Sequence, residues 1–164
     1  MSHSFRTLSS ALVLSAAIAL SAAAQGPRPD LSGTWVLDPI RSAASQFLPA
    51  SAIYTIVQHG DTVTMDRQTS TTVGNVSVHT VEGVDGKVWK NTATVAGQTV
   101  EMSTTAGWSH DTLVDHSSGS LQGTEFSEDN RLSLSADKST MTMLRTLHVG
   151  GQDVPLTMVF SKKP

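Results

Sequence analysis

Hydrophobic and polar residues alternate along most of this chain in short segments punctuated by glycine and aspartate, with no long helical periodicity between them. In the first segment, 30–38, Leu31, Gly33, Trp35 and Leu37 share one face of a strand, while Ser32, Thr34 and Asp38 take the other. Pro39 ends it. Ile40 to Phe47, with Ala43 and Ala44, favours one or two helical turns before Pro49 stops them. A β-branched run from Ile53 to His59 then passes through Gly60-Asp61 into Thr62 to Gln68, a hairpin with Val63 and Met65 inward. Strands follow at 74–81, 88–95 and 99–105, separated by turns at 83–86 and at Ala96-Gly97. Between Gly107 and Asp129 the alternation weakens to Thr112-Leu113-Val114, which predicts one strand and a long loop. Asn130 to Ser135 and Met141 to Val149 make a hairpin, and Gly150 to Asp153 turns the chain into a last strand carrying Leu156, Met158 and Phe160 on one face. The expectation is an all-β fold, a single up-and-down antiparallel barrel of about eight to ten strands.

Residues 1–24 do not belong to that pattern. Arg6, the apolar run from Leu8 to Leu20 and Ala22-Ala23-Ala24 before Gln25 have the layout of a signal peptide, which predicts a secreted or periplasmic protein. That leaves residues 25–164 as one domain, without a second apolar run long enough to span a membrane. Losing Arg6 takes the net charge from -3 to -4, the wrong sign for nucleic acid. The absence of cysteine removes disulfides, a lipid-modified cysteine and thiolate zinc sites, so burial must hold the fold together.

Gly33-Thr34-Trp35, Leu37-Asp38 and Arg41-Ser42 at the start, with Leu134-Ser135-Ala136-Asp137-Lys138-Ser139-Thr140 later, resemble the small secreted bacterial members of the lipocalin superfamily. The chain departs from lipocalins in having no Thr-Asp-x-x-Tyr between middle strands and no disulfides. The resemblance implies that Gly33 and Trp35 close one barrel end beneath an arginine from a late strand. Arg145 is the candidate, sharing parity with Met141, Met143 and Leu147; a bulge would instead turn it to solvent.

Candidate chemistry is sparse. His110-Asp111 and Asp115-His116 offer metal-ligand types, but polar loops gather these residues too, and no metal or other cofactor is expected. There is no Cys nucleophile, Gly-x-Ser-x-Gly or nucleotide loop. Glu128 and Asp129, adjacent in a strand, point to opposite faces and read as the solvated start of a hairpin. Arg67 shares parity with Val63 and Met65, which aims it inward as an anchor for an anionic group, although a strand end would leave it in water. Tyr54 and Trp108 are the aromatic candidates for a pocket lining, and Trp89 reads as core. The expected function is a non-catalytic exported binding protein holding a small apolar or amphipathic molecule through Arg67, Tyr54, Trp108 and Arg145. The alternative is an envelope protein whose barrel is filled by its own side chains.

Overall fold

Alternation with tight turns produces ten strands in the computed structural model, which describes residues 28–72 and 74–164. The expected signal peptide at 1–24 lies outside the described residues. The strands are β1 (Gly33–Leu37), β2 (Ser51–His59), β3 (Thr62–Thr71), β4 (Gly74–Gly83), β5 (Trp89–Val95), β6 (Gln98–Ser109), β7 (Thr112–Leu121), β8 (Thr124–Leu134), β9 (Thr140–Val149) and β10 (Gln152–Lys162). Each pairs antiparallel with its neighbours in sequence, and β1 pairs with both β2 and β10, closing an up-and-down barrel. Closure gives every described strand a partner on both sides. Tight hairpins follow from turn chemistry; at Gly150-Gly151 both residues have positive φ, 58° and 75°, which glycine adopts without strain.

The expected helical turns do not form. The segment between β1 and β2 makes turns held by Asp38, whose Oδ1 accepts the backbone N–H groups of Ile40 and Arg41, both at 3.1 Å. Ser42 then docks the segment on the barrel: its Oγ donates to Asp38 O at 2.7 Å and accepts from Val159 N at 3.0 Å. Nor is 107–129 one strand and a long loop. It completes β6, all of β7 and the first half of β8. Its alternation is weak because the inward positions Asp115, Ser117 and Glu128 are polar, yet all three are buried.

Gly33-x-Trp35 closes one end. Trp35 is fully buried, and its Nε1 donates to Leu31 O at 2.9 Å. The cation on its ring is Lys162, with Nζ 5.2 Å from the centroid, in place of the expected Arg145. A Cβ on Gly33 would meet Lys162 Cε at 2.5 Å, and Gly33 has φ 141°, so glycine lets the lysine cross the strand to reach the indole. Arg145 cannot take that role because its guanidinium is committed to Glu128. Trp35 belongs to a core cluster with Leu31, Ile56, Leu113, Leu132 and Met141 among others, all buried. Replacing this indole with alanine opens a large cavity, so Trp35→Ala should lose about 3–5 kcal/mol in urea denaturation. Lys162→Met, which keeps most of the stem, should lose about 1 kcal/mol or less.

Candidate functional site

Two apolar clusters fill the barrel, and a polar belt separates them. Along β4, Val78 packs with the smaller cluster and Val84, just past the strand's end, with the larger, and Thr80 and Glu82 lie between. Strand β7 repeats the order with Leu121, then Ser117 and Asp115, then Leu113; β8 does so with Phe126, then Glu128 and Asn130, then Leu132. Arg67 enters from β3 beyond Met65, and Arg145 from β9 beyond Met143. All of these positions obey the period of two that faces their apolar neighbours inward.

Glu128 is the hub of the belt. Arg67 Nη2 donates to its Oε1 at 2.6 Å, and Arg145 Nη2 donates to its Oε2. Burial alone would raise the Glu128 pKa, but Arg145 and Arg67 outweigh it and hold the carboxyl down at about 2. Beside it, Asn130 Nδ2 donates to Asp115 at 2.8 Å. Asp115 is pushed up to about 6 by burial, partly offset by Arg67 and Asn130. Glu82, only 1% exposed, rises to about 8 because it is buried near Asp115, with Arg67 a weaker opposing influence. Burial and the nearby Asp115 thus favour the neutral form of Glu82, beside a Glu128 carboxylate that accepts from both arginines.

Hydrogen-bonding capacity remains in the belt. Among the described residues, Arg67 Nε, Arg145 Nε and Asn91 Nδ2 are buried donors without a partner, and Asn130 Oδ1 is a buried acceptor without one. Solvent reaches the belt at Arg145, whose side chain is 22% exposed against 5% for Arg67. Arg145 leads toward the end opposite Trp35, where Val76, Val95, Leu121, Phe126 and Leu147 are only half-buried and Val149 is exposed. That end is the less buried, apolar half of the barrel, on the far side of the belt from Trp35.

The expected site residues divide accordingly. Arg67 is inward and buried, and Tyr54 lies beside it, paired in register with Arg67 and packed on Phe160 at 4.6 Å between ring centroids. Arg145 joins them through Glu128. Trp108 stands apart, half-buried against the cluster that contains Trp35, because it precedes the β6–β7 turn at the closed end. Glu128 and Asp129 do point to opposite faces, but Glu128 is 2% exposed, which corrects its reading as a solvated hairpin start. Glu82, Asp115 and Asn130 were missed as interior groups; their parity with Val84, Leu113 and Leu132 marked them, and their polarity disguised it.

The two His/Asp pairs part company. His110 is an exposed turn residue, and Asp115 and His116 face opposite sides of β7. Outside, His116 Nδ1 meets Asp129 at 2.8 Å, Asp129 meets His148 Nε2 at 2.9 Å, and His148 Nδ1 meets Asp153 at 2.7 Å. This row spans β7 to β10. Asp153 and then Asp129 raise the His148 pKa. Among the described residues no group of three or more His, Asp or Glu side chains is gathered to hold a metal ion. No protein-family model matches this chain, and no curated protein matches it.

The buried acids make stability pH-dependent in opposite senses. Glu128 has a folded pKa below its ordinary 4.5, so its contribution is present above that value and is lost as pH falls toward about 2. Glu82 has a folded pKa above 4.5, so the folded state holds the extra proton and stability declines as pH rises from there to about 8. Asp115 acts likewise from 3.8 to about 6. Glu82→Gln should therefore flatten the decline between about pH 6 and about pH 8 in urea titrations and leave the acidic limb unchanged. Glu128→Gln strands both guanidinium groups and should cost about 3–5 kcal/mol.

Proposed function

We propose that this chain is an exported, non-catalytic lipocalin-like protein that binds a small amphipathic molecule in the open half of its barrel. The carrying observation is the set of buried donors without partners, Arg67 Nε, Arg145 Nε and Asn91 Nδ2, below a mouth of half-buried apolar side chains. Unpaired buried N–H groups are costly, and a ligand oxygen among them recovers that cost while the mouth takes an apolar tail. Arg145 and Arg67 anchor the head group, and Tyr54 supports Arg67 from β2. The export component rests on Arg6, the apolar run from Leu8 to Leu20 and Ala22-Ala23-Ala24. The lipocalin-like component rests on the up-and-down closure and on the opening motif. There Gly33 admits Lys162, Asp38 organises the following turn and Ser42 ties it to β10.

A second reading, a barrel filled by its own side chains and acting only through its surface, is favoured by the well-packed core of the closed half and by Glu128 already serving both arginines. Native mass spectrometry of the protein purified from its own host separates the two. A co-purifying amphipathic mass is expected; an empty protein with no thermal shift from fatty acids or retinoids would leave the second reading. Arg145→Met should weaken binding of an acidic ligand about 10- to 100-fold in a displacement titration, as expected for losing one charge-assisted hydrogen bond.

A further inference from the structure

Glu82 is the one ionisable side chain of the belt that has no hydrogen-bond partner among the described residues. Glu128 takes both arginines and Asp115 takes Asn130, which leaves the Glu82 carboxyl buried and alone. It also sits just past the paired stretch of the β4–β5 seam. Backbone pairing of β4 with β5 is confined to Val76–His79 opposite Val95–Thr92, and past it Val81 N donates instead to Asn91 Oδ1 at 2.8 Å. That bond turns the other end of the amide, the unpaired Nδ2, free beside Glu82's own strand. At Gly83, the next residue, the indole of Trp89 fills the place of a side chain, 2.8 Å from an ideal Cβ.

Charge explains why an unpaired acid is tolerated here. Facing Glu82 are Arg67 from β3, Asp115 from β7 and Glu128 from β8, with Arg145 of β9 behind Glu128 and Tyr54 of β2 beside Arg67. The buried inward positions of β5 and β6, Asn91, Ala93, Val100, Met102, Thr104 and Ala106, carry no charge. With Asp115 and Glu128 ionised, the two arginines are balanced, so an incoming carboxylate brings one negative charge in excess and an ionised Glu82 beside it would bring a second. A neutral Glu82 instead adds an O–H donor to the N–H donors already unpaired, so the belt offers several donors to one incoming acceptor group.

We infer that Glu82 is a ligand-contacting residue that, as a neutral acid, donates its proton in a hydrogen bond to the carboxylate head of an amphipathic monocarboxylate, so that binding keeps one proton on Glu82. The inference deepens the proposed interior binding site and rests on it. No bond is made or broken beyond protonation: the proton comes from solvent when Glu82 is ionised beforehand and returns there when the ligand leaves. Burial near Asp115 already raises Glu82 to about 8, and a second carboxylate beside it moves the value further the same way.

The test is isothermal calorimetry with decanoate, which stays ionised throughout, and with decanol as the uncharged comparison, from about pH 6 to about pH 9.5 in two buffers of different ionisation enthalpy. Decanoate affinity should be level on the acidic side and fall up to about tenfold per pH unit once free Glu82 ionises, with up to one proton taken up per ligand there and no such slope for decanol. Glu82→Gln should bind decanoate with a level profile and no proton uptake. Decanoate binding with a level profile and no proton uptake in the unaltered protein would overturn the inference while leaving the interior site standing. No binding of decanoate at any pH, where native mass spectrometry also finds the barrel empty, would remove both. The calorimetric proton count needs only the unaltered chain, so it decides the matter even if the glutamine variant fails to fold.

Discussion

The Glu128 carboxylate, held between Arg67 and Arg145, is the interaction on which the middle of this barrel depends. One buried and one part-buried guanidinium group inside a ten-strand barrel call for a charge partner at hydrogen-bond distance, and one carboxylate with two oxygens serves both. The arrangement ties β3, β8 and β9 together across the interior rather than along the wall. It also divides the core, because apolar side chains pack on either side of the belt but not through it. The closed half is a conventional hydrophobic core, and the open half is a shorter cluster whose mouth residues stay half-solvated.

The two motifs that carry the family resemblance serve structure and lie outside the belt. Gly33 is where Lys162 crosses to Trp35, and Asp38 with Ser42 fastens the longest connection to the wall. In the later motif, the Asp137 carboxylate accepts from Ser135 Oγ at 2.6 Å and from the Ser139 backbone and hydroxyl at 3.1 and 2.8 Å, locking the β8–β9 turn. Those three bonds hold its pKa down at about 2. A resemblance built from such residues speaks to how a barrel is closed and turned, and the choice of ligand lies with the belt, where the resemblance quotes nothing.

Parity was legible where side chains were apolar. Val63, Met65, Met102, Met141, Met143 and Met158 all lie inward as the alternation placed them, and Arg67 and Arg145 follow their strands. Legibility failed where the inward residue was itself polar: Asp115, Ser117 and Glu128 blurred the alternation of β7 and the start of β8 until it resembled a loop. Local pattern assumes that inside means apolar, and this barrel breaks that assumption in its central layer. The helical reading of 40–47 failed for a related reason. Asp38 and Ser42 bind the chain to itself and to β10, which an isolated segment cannot anticipate.

By itself, then, the chain determined its strands, its hairpins and the face each residue shows, because a period of two and the chemistry of tight turns act over a few neighbouring residues. Tertiary structure alone decided which of those residues meet. Arg67 and Glu128 stand 61 positions apart and are joined only when β1 closes on β10 and curls the sheet around them. The same closure set Lys162 on Trp35, freed Arg145 for Glu128 and left Glu82 unpaired, since partners across a barrel are fixed by its curvature and register and not by any local pattern.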